Sequence, residues 1–158
     1  MISNEMELYH FLDNVFKGHG YVRKKDTYYI HSKECICFFH ITKSSFGGQY
    51  DHFMGCFLNE INKEKGNFPA YNKCHLRYSL RELADKELVK KAFDLENKEF
   101  SNHQREDVIT GLINNLAVKF LEDVSTKDGI IKAINKYEDL IYRIKGDLFT
   151  HLKLSLLQ

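Results

Sequence analysis

The sequence predicts an α+β fold: an N-terminal helix, a roughly four-stranded and mostly antiparallel sheet, and a helical C-terminal part packed on that sheet. Three observations predict it. Leu8, Phe11, Leu12, Val15 and Phe16 recur at the three- and four-residue steps of one helical face. From Gly20 to Leu83 the apolar residues instead alternate with a period of two, as strands require. Beyond Ala84 the helical period returns and holds to the end. A chain of 158 residues, 43% of them hydrophobic, fits a single domain over residues 1–158 with a continuous core. Twelve Phe and nine Tyr offset the absence of Trp.

The first helix is capped by Ser3 or Asn4, and Gly18 is expected to take the left-handed turn that ends it. Arg23-Lys24-Lys25 reads as a solvated basic turn before the strand Thr27–His31. In the strand Glu34–Thr42 both faces are largely apolar, with Cys35, Cys37, Phe39 and Ile41 opposing Ile36, Phe38 and His40, so it is central. The strand Gln49–Ile61 reads the same way, and Lys43 to Gln49 forms the hairpin between them, its Gly47-Gly48 allowing positive dihedrals. Asn62 to Lys73, with the one proline Pro69, is a polar loop long enough to be functional.

The strand Cys74–Leu83 alternates most cleanly. Cys74, Leu76, Tyr78 and Leu80 face the core, while His75, Arg77, Ser79 and Arg81 face water. Asp85 then caps a short helix through Phe93. Ser101 and Gln104 form a capping box opening a helix over 102–124. Ser125 or Thr126 caps another, whose stripe runs through Ile130, Ile134, Tyr137, Ile141 and Ile144 until Gly146-Asp147 breaks it. Leu148, Leu152 and Leu156 align on a terminal segment.

Gly20-Tyr21, Lys24-Lys25, Tyr28-Tyr29, Lys43-Ser44, Phe46-Gly47 and His75-Leu76-Arg77-Tyr78 together resemble a bacterial domain-of-unknown-function family, number 4304, over about residues 11–137. The resemblance implies an antiparallel sheet covered by helices and a cytoplasmic bacterial setting. It brings no established activity and no catalytic residues to carry over. His40-Ile41-Thr42 stands where many members show a Gln shortly before the Lys-Ser pair, so a role for a side-chain amide there is in doubt.

Composition narrows the function classes. A net charge of +1 argues against nucleic acid as a partner unless a local patch supplies the binding. No secretory leader and no apolar stretch of roughly 20 residues is visible, so a cytoplasmic protein without a membrane anchor is expected. The four cysteines are read as reduced packing residues. Cys35 and Cys37 lie about 6.6 Å apart on one face of a flat strand, which suits zinc poorly. No metal ligand, catalytic residue or cofactor is assigned. A hydroxyl elbow is missing, and the Lys43-to-Gly48 order reverses that of a phosphate-binding loop.

The residues assigned to a ligand are His75, Arg77 and Arg81 on the wet strand face, joined by Lys43 and Ser44 at the hairpin. Arg on a rigid strand suits carboxylate or phosphate recognition. Whether His40 or His52 shares that face is left open. The leading reading is a non-enzymatic protein-interaction module of the bacterial cytoplasm, concretely a toxin-neutralising immunity protein. The alternative is an enzyme or a domain binding a small anionic ligand on the His/Arg face. Self-association through the Leu148-to-Leu157 stripe is a third reading.

Overall fold

The computed structural model describes residues 2–45 and 47–157, with side chains up to Lys153; Phe46 and the Leu156 side chain fall outside the described residues. Helix α1 (Glu5–Lys17) precedes a meander of β1 (Val22–Lys24), β2 (Thr27–His31), β3 (Cys35–Lys43), β4 (Tyr50–Leu58) and β5 (Leu76–Tyr78). The order β1-β2-β3-β4-β5 is antiparallel throughout. Helices α2 (Lys86–Ala92), α3 (Asn102–Leu112), α4 (Val118–Asp123), α5 (Lys127–Lys136) and α6 (Gly146–Leu157) follow. The fold is α+β as expected, with five strands where the sequence suggests about four.

The added strand is β1. Its Val-Arg-Lys sequence lacks apolar alternation because it is the sheet edge, where charge protects unpaired backbone from further pairing. Lys25, at φ 56°, makes the tight turn into β2. Gly18 is right-handed, and the left-handed residue is Gly20 at φ +87°, two positions later, because the helix end first runs through turn bonds from His19 and Gly20 to Phe16 and Lys17.

One sheet face and the helices form the main core. Leu8, Leu12 and Phe16 of α1 meet Tyr28 and Phe39, with the Phe16 ring stacked on Tyr28 at 4.4 Å. Cys35, Cys37, Met54, Cys56, Leu76 and Tyr78 continue this face under α3, α4 and α5. Buried thiols here act as small apolar groups, and burial pushes the Cys37 thiol up. Between α3 and α4 a π-helical turn, Ile113–Ala117, interrupts the helix read over 102–124. Arg105, 2% exposed, donates to the carbonyls of Lys91, Ala92 and Asn97 and so closes the end of α2.

The other face is covered by the 59–75 segment. Tyr71 stacks on His40 at 3.7 Å, the Tyr29 hydroxyl donates to the Pro69 carbonyl, and Phe38, Phe57 and Cys74 fill the space beneath. Cys74 therefore belongs to this second cluster and not to the core side with Leu76. The last strand is also shorter than its alternation suggests. Ser79 and Glu82 form a capping box that turns Leu80–Glu82 into a 3-10 helix. The α5 stripe stops too: the helix ends at Lys136 with Tyr137 extended, Asp139 turns left-handed at φ 60°, and Leu140–Arg143 becomes a 3-10 turn. Leu148 and Leu152 are buried in the main core, which removes them from any self-association surface. Among the described residues, no helix is long and apolar enough to cross a membrane.

Candidate functional site

The β4–β5 edge opens into a cleft of about 740 Å³. Its floor follows from one close approach. Arg77 pairs with Gly55, and a Cβ on Gly55 would lie 1.8 Å from the Leu76 carbonyl oxygen. Only glycine lets β5 sit this near. The bare position also leaves the Arg77 guanidinium lying over the Phe53 ring, at 4.7 Å.

The Ser79-capped turn then carries Arg81 into the cleft, with its Nη2 3.6 Å from Asp51 Oδ1. The opposite wall comes from 142–145. Ile144 bridges to Leu76, the Lys145 amide donates to the His75 carbonyl at 2.9 Å, and Lys145 Nζ donates to the Asn72 carbonyl at 2.6 Å. Arg143 Nη2 meets Glu82 Oε1 at 2.5 Å and ties this wall to the capped turn. Tyr142 stands at the rim, 81% exposed.

Five cationic side chains line the cleft (Arg77, Arg81, Lys86, Arg143 and Lys145) against two carboxylates, Asp51 and Glu82. Asp51 and Glu82 partly offset Arg81 and Arg143. Among the described residues Arg77 and Lys86 have no carboxylate partner. The cleft is thus net cationic, and its low-dielectric walls strengthen that field.

His52 lies behind this site, 3% exposed, its ring stacked on Phe39 and tilted against Phe93. Its Nε2 accepts the Leu80 amide proton at 2.9 Å and lies 3.2 Å from the Ser79 hydroxyl, which pins the capped turn. A backbone amide can only donate, so Nε2 is the bare nitrogen and the neutral ring carries its proton on Nδ1. Burial, aided by the Arg81 charge, lowers its pKa to about 3.

The expected ligand residues divide. Arg77 and Arg81 come together here. His75 does not join them: it is 6% exposed, and its Nδ1 accepts the Leu58 amide proton at 2.8 Å, so it fastens the end of β4 and is not on a wet face. Lys43 and Ser44 sit at the β3–β4 hairpin, where the Ser44 amide donates to Gln49, and neither lines the cleft. His40 does share the Arg77 face but lies buried beneath Tyr71, whereas His52 belongs to the other face. Asp51, Lys86, Tyr142, Arg143 and Lys145 were not foreseen from the sequence, and His52 was left open. The period-two pattern Arg143-Ile144-Lys145 was the available signal for a strand-like wall. Among the described residues no group of three or more His, Cys, Asp or Glu side chains could hold a metal ion.

A family model, domain of unknown function DUF4304, matches residues 12–123. The chain belongs to the DUF4304 family. Neither the curated proteins nor the solved structures give a match. The DUF4304 match includes the cleft floor, with Arg77, Arg81 and His52, and stops before the wall that carries Tyr142, Arg143 and Lys145.

Proposed function

We propose that this DUF4304 protein is a non-enzymatic interaction module that engages an acidic segment of a protein partner through the cationic cleft. Neutralising a toxin in the bacterial cytoplasm is the concrete form of that role. The observation that carries the reading is an open cleft with five cations against two carboxylates and a rim Tyr142 that is 81% exposed. Arg and Tyr are the side chains that dominate the energetics of protein interfaces, and complementary charge steers encounter and selects partners. Binding suits these groups better than proton transfer. Guanidinium groups stay protonated, and a histidine with a pKa of about 3 is a weak base at neutral pH.

A second reading is a small anionic ligand, favoured by the concavity of about 740 Å³ around Arg77 and Arg81. The two separate in one experiment. The tagged chain, expressed in its native host, is expected to retain one protein partner in stoichiometric amount. The doubly reversed variant Arg77→Glu/Arg81→Glu is expected to lose it by at least about tenfold in affinity while keeping a cooperative thermal transition. Retention of the partner by the variant, or recovery of small molecules or nucleic acid alone, would overturn the reading.

A further inference from the structure

A second pocket, of about 180 Å³, lies between strands β2 and β3 and helix α4 and shares no lining residue with the cationic cleft. Ile30, Cys37, Val118 and Leu121 give it apolar walls. Tyr21 brings a polar group to it. The residue is only 7% exposed, yet its hydroxyl has no hydrogen-bond partner among the described residues and still touches solvent. Native interiors are close-packed and buried polar groups are paired, so an open apolar pocket with a spare donor is a place for a ligand. We propose that this pocket binds a neutral single-ring molecule whose hydroxyl or carbonyl oxygen accepts the Tyr21 proton. Such a site works independently of the partner-binding cleft.

The walls are fixed before any ligand arrives, which lowers the ordering cost of binding it. His19 Nε2 lies 2.7 Å from Asn114 Oδ1, in the π-helical turn that leads into α4, and such turns recur at functional sites. At the other end the Ser32 hydroxyl donates to the Ser125 carbonyl at 2.6 Å. His19 and Ser32 are thus satisfied within the protein, which leaves the Tyr21 hydroxyl for the ligand. Its ring stands edge-on to Phe16 at 5.1 Å. Burial keeps the hydroxyl protonated; Cys37 and Glu122 act on it in the same sense, and both line the pocket, so the hydroxyl lies on the pocket side of the ring. Size and charge then choose the occupant. An apolar cavity of about 150 Å³ holds a benzene ring, so this one suits a single ring and is too small for a folded peptide segment. The exposed Glu122 carboxylate disfavours an acid, because like charges repel.

The full chain, isotope-labelled at its Ile, Leu and Val methyls, is to be titrated with phenol, benzene and benzoate and followed by NMR. Phenol is expected to shift the Ile30, Val118 and Leu121 methyl signals and to leave those of Leu8 and Leu152, packed elsewhere in the core, in place. Its dissociation constant is expected at about 1 mM or tighter. Benzoate is expected to bind at least about tenfold more weakly than phenol. Tyr21→Phe keeps the ring against Phe16 and removes the donor. It is expected to weaken phenol about fivefold, the loss of one neutral hydrogen bond, and to leave benzene binding unchanged. Unmoved signals at all three methyl-bearing residues, phenol held by Tyr21→Phe as tightly as by the wild type, or benzoate bound more tightly than phenol would overturn the site. None of these results bears on the cleft, which the Arg77→Glu/Arg81→Glu variant tests separately.

Discussion

Gly55→Ala is expected to detach β5 from β4 and to abolish the cleft. The new Cβ would meet the Leu76 carbonyl oxygen at 1.8 Å, its carbon at 2.9 Å and the Arg77 Cα at 3.1 Å. All three are backbone atoms, so no side-chain rotation relieves the clash, and the strands must part. The Arg77 pairing and its seat on Phe53 go with them. Overpacking typically costs about 1–3 kcal/mol, and a clash with backbone that cannot turn aside sits at or above the top of that range, a large share of a domain's stability. Gly66→Ala is the control. Gly66 has nothing within 4 Å of its would-be Cβ but sits at φ +90°. Only the left-handed strain remains there, about 1–2 kcal/mol. Urea denaturation of the two variants is expected to show the Gly55 change as the greater, with loss of anion binding; equal midpoints would contradict the packing described.

Acid is expected to destabilise the fold well above the carboxylate range. Burial lowers the pKa of His40, His52 and His75, that of His52 to about 3; at His40 this outweighs Asp26, 3.4 Å away, which acts the other way. An unfolded histidine titrates near 6.5. Between that value and about 3 the unfolded chain binds a proton at position 52 that the native chain refuses. For His52, stability is therefore full above 6.5 and falls as pH drops, by roughly 1.4 kcal/mol per pH unit between the two values. From pH 7.5 to 5.5 His52 alone accounts for a loss of roughly 1.3 kcal/mol, and His40 and His75 add in the same direction. Urea midpoints at the two pH values measure it. His52→Gln is expected to flatten part of the slope; a wild type equally stable at both values would contradict the buried neutral rings.

What the sequence disclosed depended on whether neighbours in the chain were also neighbours in space. The α1 face, the α3 capping box and the two central strands were legible because local period and local caps decided them. Strand β1 was hidden because an edge strand needs charge and no apolar face. The capping box at Ser79 and Glu82 was present in the sequence, but the alternation running through it masked the turn. Arg77 and Arg81 were readable as an exposed cationic pair. Their companions were not, since Arg143 and Lys145 reach the cleft only after the chain leaves the helix at Tyr137, turns at Asp139 and folds Ile144 back on Leu76. Arg105 and His52 are buried polar groups satisfied by carbonyls or amides distant in sequence, and no local pattern announces such partners.

The most direct test of the cleft as the working surface is amine footprinting of the full chain, alone and in complex with the partner recovered from the native host. Lys86 and Lys145 line the cleft, whereas Lys17 and Lys119 are exposed elsewhere. Lys86 and Lys145 are expected to lose most of their reactivity in the complex while Lys17 and Lys119 keep theirs. Undiminished labelling at Lys86 and Lys145, with protection at Lys17 or Lys119 instead, would place the interface on another face.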